Sequence, residues 1–174
     1  MHMLIAKFLV QVLDQAIQES GHDDIWTTLA VPGQRTGEAT SRLPDVAVVP
    51  FDTIDDVLTS AVLTTPDPLV IEIVSQNWQD DYLIKLAEYE TLGIPEYWIV
   101  DHQGLGGTRY IGNPKQPTLS VYTLVNGEYQ VSLIRVGELI KSPTFPSLVL
   151  DATTLFWAGN PKYLRHRRQA KQQP

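Results

Sequence analysis

Residues 66–101 read PDPLVIEIVSQNWQDDYLIKLAEYETLGIPEYWIVD. A short apolar run, a segment of helical period and a second apolar run follow one another. This order predicts a buried strand, an amphipathic helix and another buried strand. Two strands joined through one helix make a right-handed crossover, so they are expected to lie parallel and adjacent. Within residues 69–74 every position is Leu, Val or Ile except Glu72. A strand apolar on both faces is covered on both faces, and a lone carboxylate in such a place is strongly unfavourable. Glu72 is therefore expected to have a cation, a metal ion or a set of donors beside it.

The helix offers that partner. Asp81, Lys85 and Tyr89 are spaced four apart and share one face, while Leu83, Leu86 and Leu92 are assigned to its apolar side. Lys85 is the first candidate neighbour of Glu72. Gly93 is a natural helix stop, and Ile94-Pro95 turns the chain into the second strand. The end of the first strand and the start of the helix then form an open rim, where α/β sheets carry sites.

With 174 residues, 43% of them hydrophobic, the chain is long enough for one domain with a sizeable core, expected over residues 1–160. The absence of Cys excludes disulfides, thiolate metal sites and a cysteine nucleophile. No apolar run approaches transmembrane length and no leader pattern opens the chain, so a soluble cytoplasmic protein without membrane partners is expected. The net charge is −7, unevenly spread: all 20 acidic residues precede residue 161, whereas five of the 13 Lys and Arg lie in residues 161–174. That basic tail is expected to be partly helical or disordered and to be the segment that meets nucleic acid. An acidic body counts against a broad nucleic-acid surface, although a metal ion and a few placed Arg or Lys act locally.

Along the rest of the chain, residues 3–19 have the period of an amphipathic helix, stopped by Ser20-Gly21, and residues 25–31 read as a strand broken by Pro32-Gly33. The polar segment QRTGEATSR, with Arg35 and Arg42, reads as a solvated loop or hairpin whose arginines could also meet phosphate. RLPDVAVVP is a short strand, and Thr53 with Asp56 signals a short helix to about Ser60. If the PDVAVV and LVIEIV strands pair antiparallel, the start of one lies opposite the end of the other, which brings Asp45 near Glu72. The loop after Asp101 is read as a flexible connection, with Asp101 itself as a cap or turn residue. Asn126-Gly127 joins TLSVYTLV to EYQVSLIR as a tight hairpin. A last strand, SLVLD, and a turn at residues 153–157 are expected to close the domain. Tyr97 and Trp98 read as core residues of an apolar strand.

Asp45, Glu72 and Lys85 thus form a candidate constellation, with Asp80, Asp81 and Tyr89 close by. Two carboxylates on adjacent strands suit a hard cation that keeps several waters. Such an ion acidifies a bound water and neutralises a phosphate oxygen, while an ammonium stabilises charge developing in the transition state. Spacing alone leaves open a purely structural Glu72–Lys85 pair in an interaction domain.

In this order, PDV followed by VV, LVIEIVS, D-x-x-x-K-x-x-x-Y, GIPEYWIVD and FPSLVLDATTLF resemble the Uma-type restriction endonucleases, a branch of the PD-(D/E)XK nuclease superfamily. The resemblance runs to about Trp157. It implies an α/β fold with a restriction-endonuclease-like core, a mixed β-sheet flanked by helices. It also implies a Mg²⁺- or Mn²⁺-dependent endonuclease that hydrolyses DNA phosphodiester bonds. Asp45 matches the Asp of the Pro-Asp motif and Glu72 the acidic residue of the second motif, both as metal ligands and catalytic residues. The superfamily's usual Lys would stand two residues after Glu72, where this chain has Val74; in this branch the role falls to the helix, where Lys85 matches. Asp81 and Tyr89 become supporting residues, and His2 is similar to a His common near the start of the family's first helix. The alternative is a catalytically silent nuclease-fold protein that binds nucleic acid or a protein partner. A homodimer is expected by analogy, since cutting both strands of a duplex favours two sites.

Overall fold

The computed structural model describes residues 1–54, 62–160 and 162–163. The helix expected at residues 53–60 falls largely outside them, as does the basic tail beyond Tyr163.

The chain opens with α1 (His2–Glu19), whose buried Ile5, Phe8, Leu9, Leu13, Ala16 and Ile17 recur at helical spacing. Strand β1 (Trp26–Ala30) follows, then a small antiparallel hairpin of β2 (Gln34–Arg35) and β3 (Ser41–Arg42), then β4 (Val46–Pro50) and β5 (Leu69–Ile73). After β5 the chain enters a π-helical turn (Asp80–Lys85) that runs into α2 (Leu86–Leu92), and returns as β6 (Glu96–Asp101). A single-turn α3 (Thr108–Ile111), β7 (Thr118–Val125), β8 (Glu128–Ile134) and α4 (Ala152–Trp157) complete it.

Six strands form one mixed sheet in the order β1-β4-β5-β6-β7-β8. β5 and β6 are parallel and the other neighbours antiparallel, so the crossover expected for residues 66–101 forms as read. Successive residues of a strand point to opposite faces. Val46, Leu69, Ile71 and Trp98 accordingly pack with α1 and α4. Ala47, Val70, Tyr97 and Ile99 pack on the other face with Tyr82 and Tyr89. Gly93 ends α2 at φ 87°, and Asn126 (φ 54°) with Gly127 (φ 85°) makes the tight turn between β7 and β8.

Three local expectations need correction. Leu83 is 47% exposed instead of apolar-side core, because the face carrying Asp81, Lys85 and Tyr89 is the one turned towards the sheet. Two residues along a helix is about half a turn, so burying Asp81 puts Leu83 in solvent. The segment SLVLD forms no strand: it makes a single bridge, Leu139 to Asp151, and Val149 is 85% exposed. Asp151 instead caps α4 by accepting from the Thr154 amide at 3.0 Å. The loop after Asp101 is tied down, since the Asp101 carboxylate accepts from the amides of Leu105 (2.9 Å) and Gly106 (2.7 Å). A side chain at Gly107 would meet the Trp78 ring at 2.8 Å, so that ring fills the space a Cβ would need.

Glu96, read from sequence only as part of an apolar strand, is fully buried and well matched. Its carboxylate accepts from Trp98 Nε1 (2.6 Å), Ser142 Oγ (3.0 Å) and the Thr144 amide (2.8 Å), fastening the closing segment to β6. Glu96→Ala strands those donors, and a loss of about 3 kcal/mol is expected in denaturant unfolding.

Candidate active site

β4 stops pairing at Val46↔Ile71, so the next residue back, Asp45, stands opposite Glu72. The Asp45 carboxylate takes over where the ladder ends: Oδ2 accepts from the Ile73 amide at 2.7 Å, and lies 2.9 Å from His2 Nε2 at the start of α1. Both hydrogen bonds use one oxygen. Glu72 lies on the sheet face covered by the π-helical turn and α2, with a side chain only 2% exposed. Its Oε1 accepts from Tyr89 Oη at 2.9 Å, and its Oε2 meets Lys85 Nζ at 3.0 Å. Lys85 also donates to Asp81 Oδ1 at 2.9 Å. The partner that burial required for Glu72 is therefore Lys85, aided by Tyr89.

The helix turns a charged face inward because the sheet presents Glu72 there. Its first stretch is π-helical, a departure that recurs at functional sites, and Tyr97 of β6 donates from Oη to the Asp81 carbonyl at 3.1 Å. Asp45, Glu72, Asp81 and Lys85 border one open cleft of about 190 Å³, joined at its rim by His2 and Asn77. Asp80 also lines it, as do Leu43, Ile73 and Ser75, members that no sequence pattern singled out.

Acidic groups outnumber basic ones in this cleft. Burial pushes the Glu72 carboxyl up to about 8, against the pull of Lys85 and with Asp45 adding to the rise. Burial likewise raises Asp81 despite Lys85. For Lys85 the burial cost is outweighed by Glu72 and Asp81, which hold its ammonium above the usual lysine range. Tyr89 is raised first by burial and then by Glu72, and so remains a proton donor.

The donor set fits a hard divalent cation. Two carboxyl groups from adjacent strands share one face and one cleft, and together they could offer oxygen ligands to an ion. Among the described residues no three His, Cys, Asp or Glu side chains converge as ligands. Asp45 and Glu72 could supply two oxygen ligands to an ion of the kind that keeps several waters.

Arg42, read as a solvated loop residue that could also meet phosphate, is not simply solvated: it pairs with Glu88 of α2, its Nε and Nη2 lying 2.7 and 2.6 Å from the two carboxylate oxygens. The two are 46 residues apart, and no periodicity signals the pair. Tyr97 and Trp98 are fully buried, as expected of core residues. No helix among the described residues is long and apolar enough to cross a membrane.

A family model described as "Uma2: Putative restriction endonuclease" matches residues 1–153. No curated protein matches the chain. Among solved structures the chain is similar to the type IIG restriction endonuclease BpuSI, at 14% identity and a TM-score of 0.46. That alignment covers 91% of this chain, which spans 16% of the length of the other.

Proposed function

This chain belongs to the Uma2 family of putative restriction endonucleases, and from that premise we propose that it is a Mg²⁺- or Mn²⁺-dependent endonuclease acting on DNA. The observation that carries the proposal is the convergence of Asp45 and Glu72 on one cleft, with Lys85 Nζ 3.0 Å from Glu72.

Asp45 and Glu72 would hold the ion, which when bound supplies a Lewis acid and a water of lowered pKa. Lys85 keeps its proton and offers an ammonium to a phosphate oxygen as negative charge develops there. Asp81 and Glu72 aim that ammonium, and Tyr89 fixes the Glu72 carboxylate by donating to Oε1. Asp45 is held by a backbone donor, the Ile73 amide, with His2 Nε2 on the same oxygen. Acting on both strands of a duplex would take two copies, and a homodimer is part of the proposal.

Millimolar Mg²⁺ or Mn²⁺ should raise the melting temperature, because the ion binds the folded chain; saturation at about 100 times Kd corresponds to about 2.7 kcal/mol. Asp45→Ala should remove that shift and the nicking of supercoiled plasmid together. The shift should also depend on pH. An ion at Glu72 competes with the proton that burial retains there, so affinity should rise from pH 6 towards about 8 and then level off. An ion-induced shift that Asp45→Ala leaves intact would place the ion elsewhere.

One observation favours the structural reading of the pair: Lys85 is already engaged by two carboxylates at 2.9 and 3.0 Å. Replacement of Glu72 separates the two readings, as argued in the Discussion.

A further inference from the structure

The two halves of the cleft come from distant parts of the chain. Asp45 follows the β2–β3 hairpin by three residues, while Lys85 and Tyr89 sit on the π-helical turn and α2. Between these halves lies the Arg42–Glu88 pair. Arg42 precedes Asp45 by three positions, with Leu43 and Pro44 between them. Glu88 follows Lys85 by three positions and immediately precedes Tyr89. The guanidinium meets both carboxylate oxygens, at 2.7 and 2.6 Å, a two-pronged geometry that fixes orientation as well as distance. Both side chains are about three-quarters covered, at 27% and 25% exposure. Glu88 is held below the usual glutamate range chiefly by its hydrogen bond to Arg42, so the pair is ionised at neutral pH.

We propose that Arg42 and Glu88 are positioning residues: their fork locks the rotation of α2 against the hairpin that leads into Asp45, and so sets Lys85 between Glu72 and Asp81. The inference rests on the hydrolytic reading of the cleft for its effect on rate, and on geometry alone for its effect on Lys85. A small rotation of α2 would move Lys85 and Tyr89 together, since both lie on the face turned to Glu72. Displacement of a catalytic group by about 1 Å can cost up to 10²-fold in rate.

The test uses Arg42→Lys, which keeps the charge but replaces the planar fork with a point donor, and the reversal Arg42→Glu with Glu88→Arg. In Mg²⁺-dependent cleavage of a duplex oligonucleotide, Arg42→Lys should lower kcat about 10-fold at unchanged KM, and the reversal should recover most of it. An unchanged kcat overturns the proposal. So does a raised KM at unchanged kcat, which would make Arg42 a phosphate contact. A second readout does not need turnover: the side-chain ammonium ¹⁵N resonance of Lys85, which persists when its protons are held in hydrogen bonds. It should broaden or vanish in Arg42→Lys and return in the reversal, and its persistence in Arg42→Lys overturns the proposal. If wild-type protein fails to cleave while the Lys85 signal behaves as expected, the hydrolytic reading falls and the positioning of Lys85 stands.

Discussion

Glu72→Gln should lower metal-dependent cleavage by about 10³-fold or more, the scale of losing a charged group that acts at the transition state, while leaving metal-free stability within about 1 kcal/mol of wild type or slightly higher. The substitution keeps the shape: its amide oxygen can take the Oε2 place and accept from Lys85 Nζ, while its NH2 faces Tyr89 Oη, a hydroxyl that can accept as well as donate. Lys85 retains Asp81 at 2.9 Å. What is removed is one of the two carboxyl groups that meet the Lys85 ammonium, a group that burial already pushes up to about 8. If Glu72 serves only as the partner of Lys85, the same substitution leaves that ammonium poorly compensated, and a loss on the order of 1–3 kcal/mol follows. Cleavage assays and urea unfolding on one preparation separate the accounts. A clearly destabilised variant that still binds metal and cuts would sink the catalytic assignment.

Asp67→Asn should stabilise the protein at pH 8 by several kcal/mol and remove a pH dependence that the wild type carries. Asp67 lies between Pro66 and Pro68, just before β5, and is fully buried. Among the described residues neither of its carboxylate oxygens has a hydrogen-bond partner. Burial pushes its pKa up to about 8 from an ordinary 3.8. The folded chain therefore keeps a proton that the unfolded chain releases. Stability conferred by that proton is fully present below about pH 4, and it is lost as pH rises towards about 8. The slope is about 1.4 kcal/mol per pH unit within the window. Asparagine is neutral throughout and nearly isosteric, so its unfolding free energy should lack this slope. Denaturant titrations at pH 5 and pH 8 measure it. Equal pH dependence in the two proteins would mean that the Asp67 carboxylate finds water or a partner in the native state.

The sequence by itself determined the order of elements through the site. Apolar runs of strand length, helical spacing and the stop at Gly93 are local signals, because they follow from the geometry of a few consecutive residues. It also determined that Glu72 needed a partner, since the cost of burying a charge does not depend on which group relieves it. The pairing of β4 with β5, and with it Asp45 opposite Glu72, was legible as a consequence of placing two short strands side by side. The tertiary structure decided the rest. It turned the charged face of the Lys85 helix inward and left Leu83 in water, a choice that amphipathic patterning ranks the other way because it assumes the polar face is wet. It set Arg42 on Glu88, and Glu96 on Ser142 and Thr144, over separations of 46 to 48 residues. It buried Asp67, which in sequence is one more polar residue in a proline turn. It also gave SLVLD no strand to pair with. Such outcomes depend on which surfaces the packed layers bring together, and a polar group's partner at long range leaves no period in the chain.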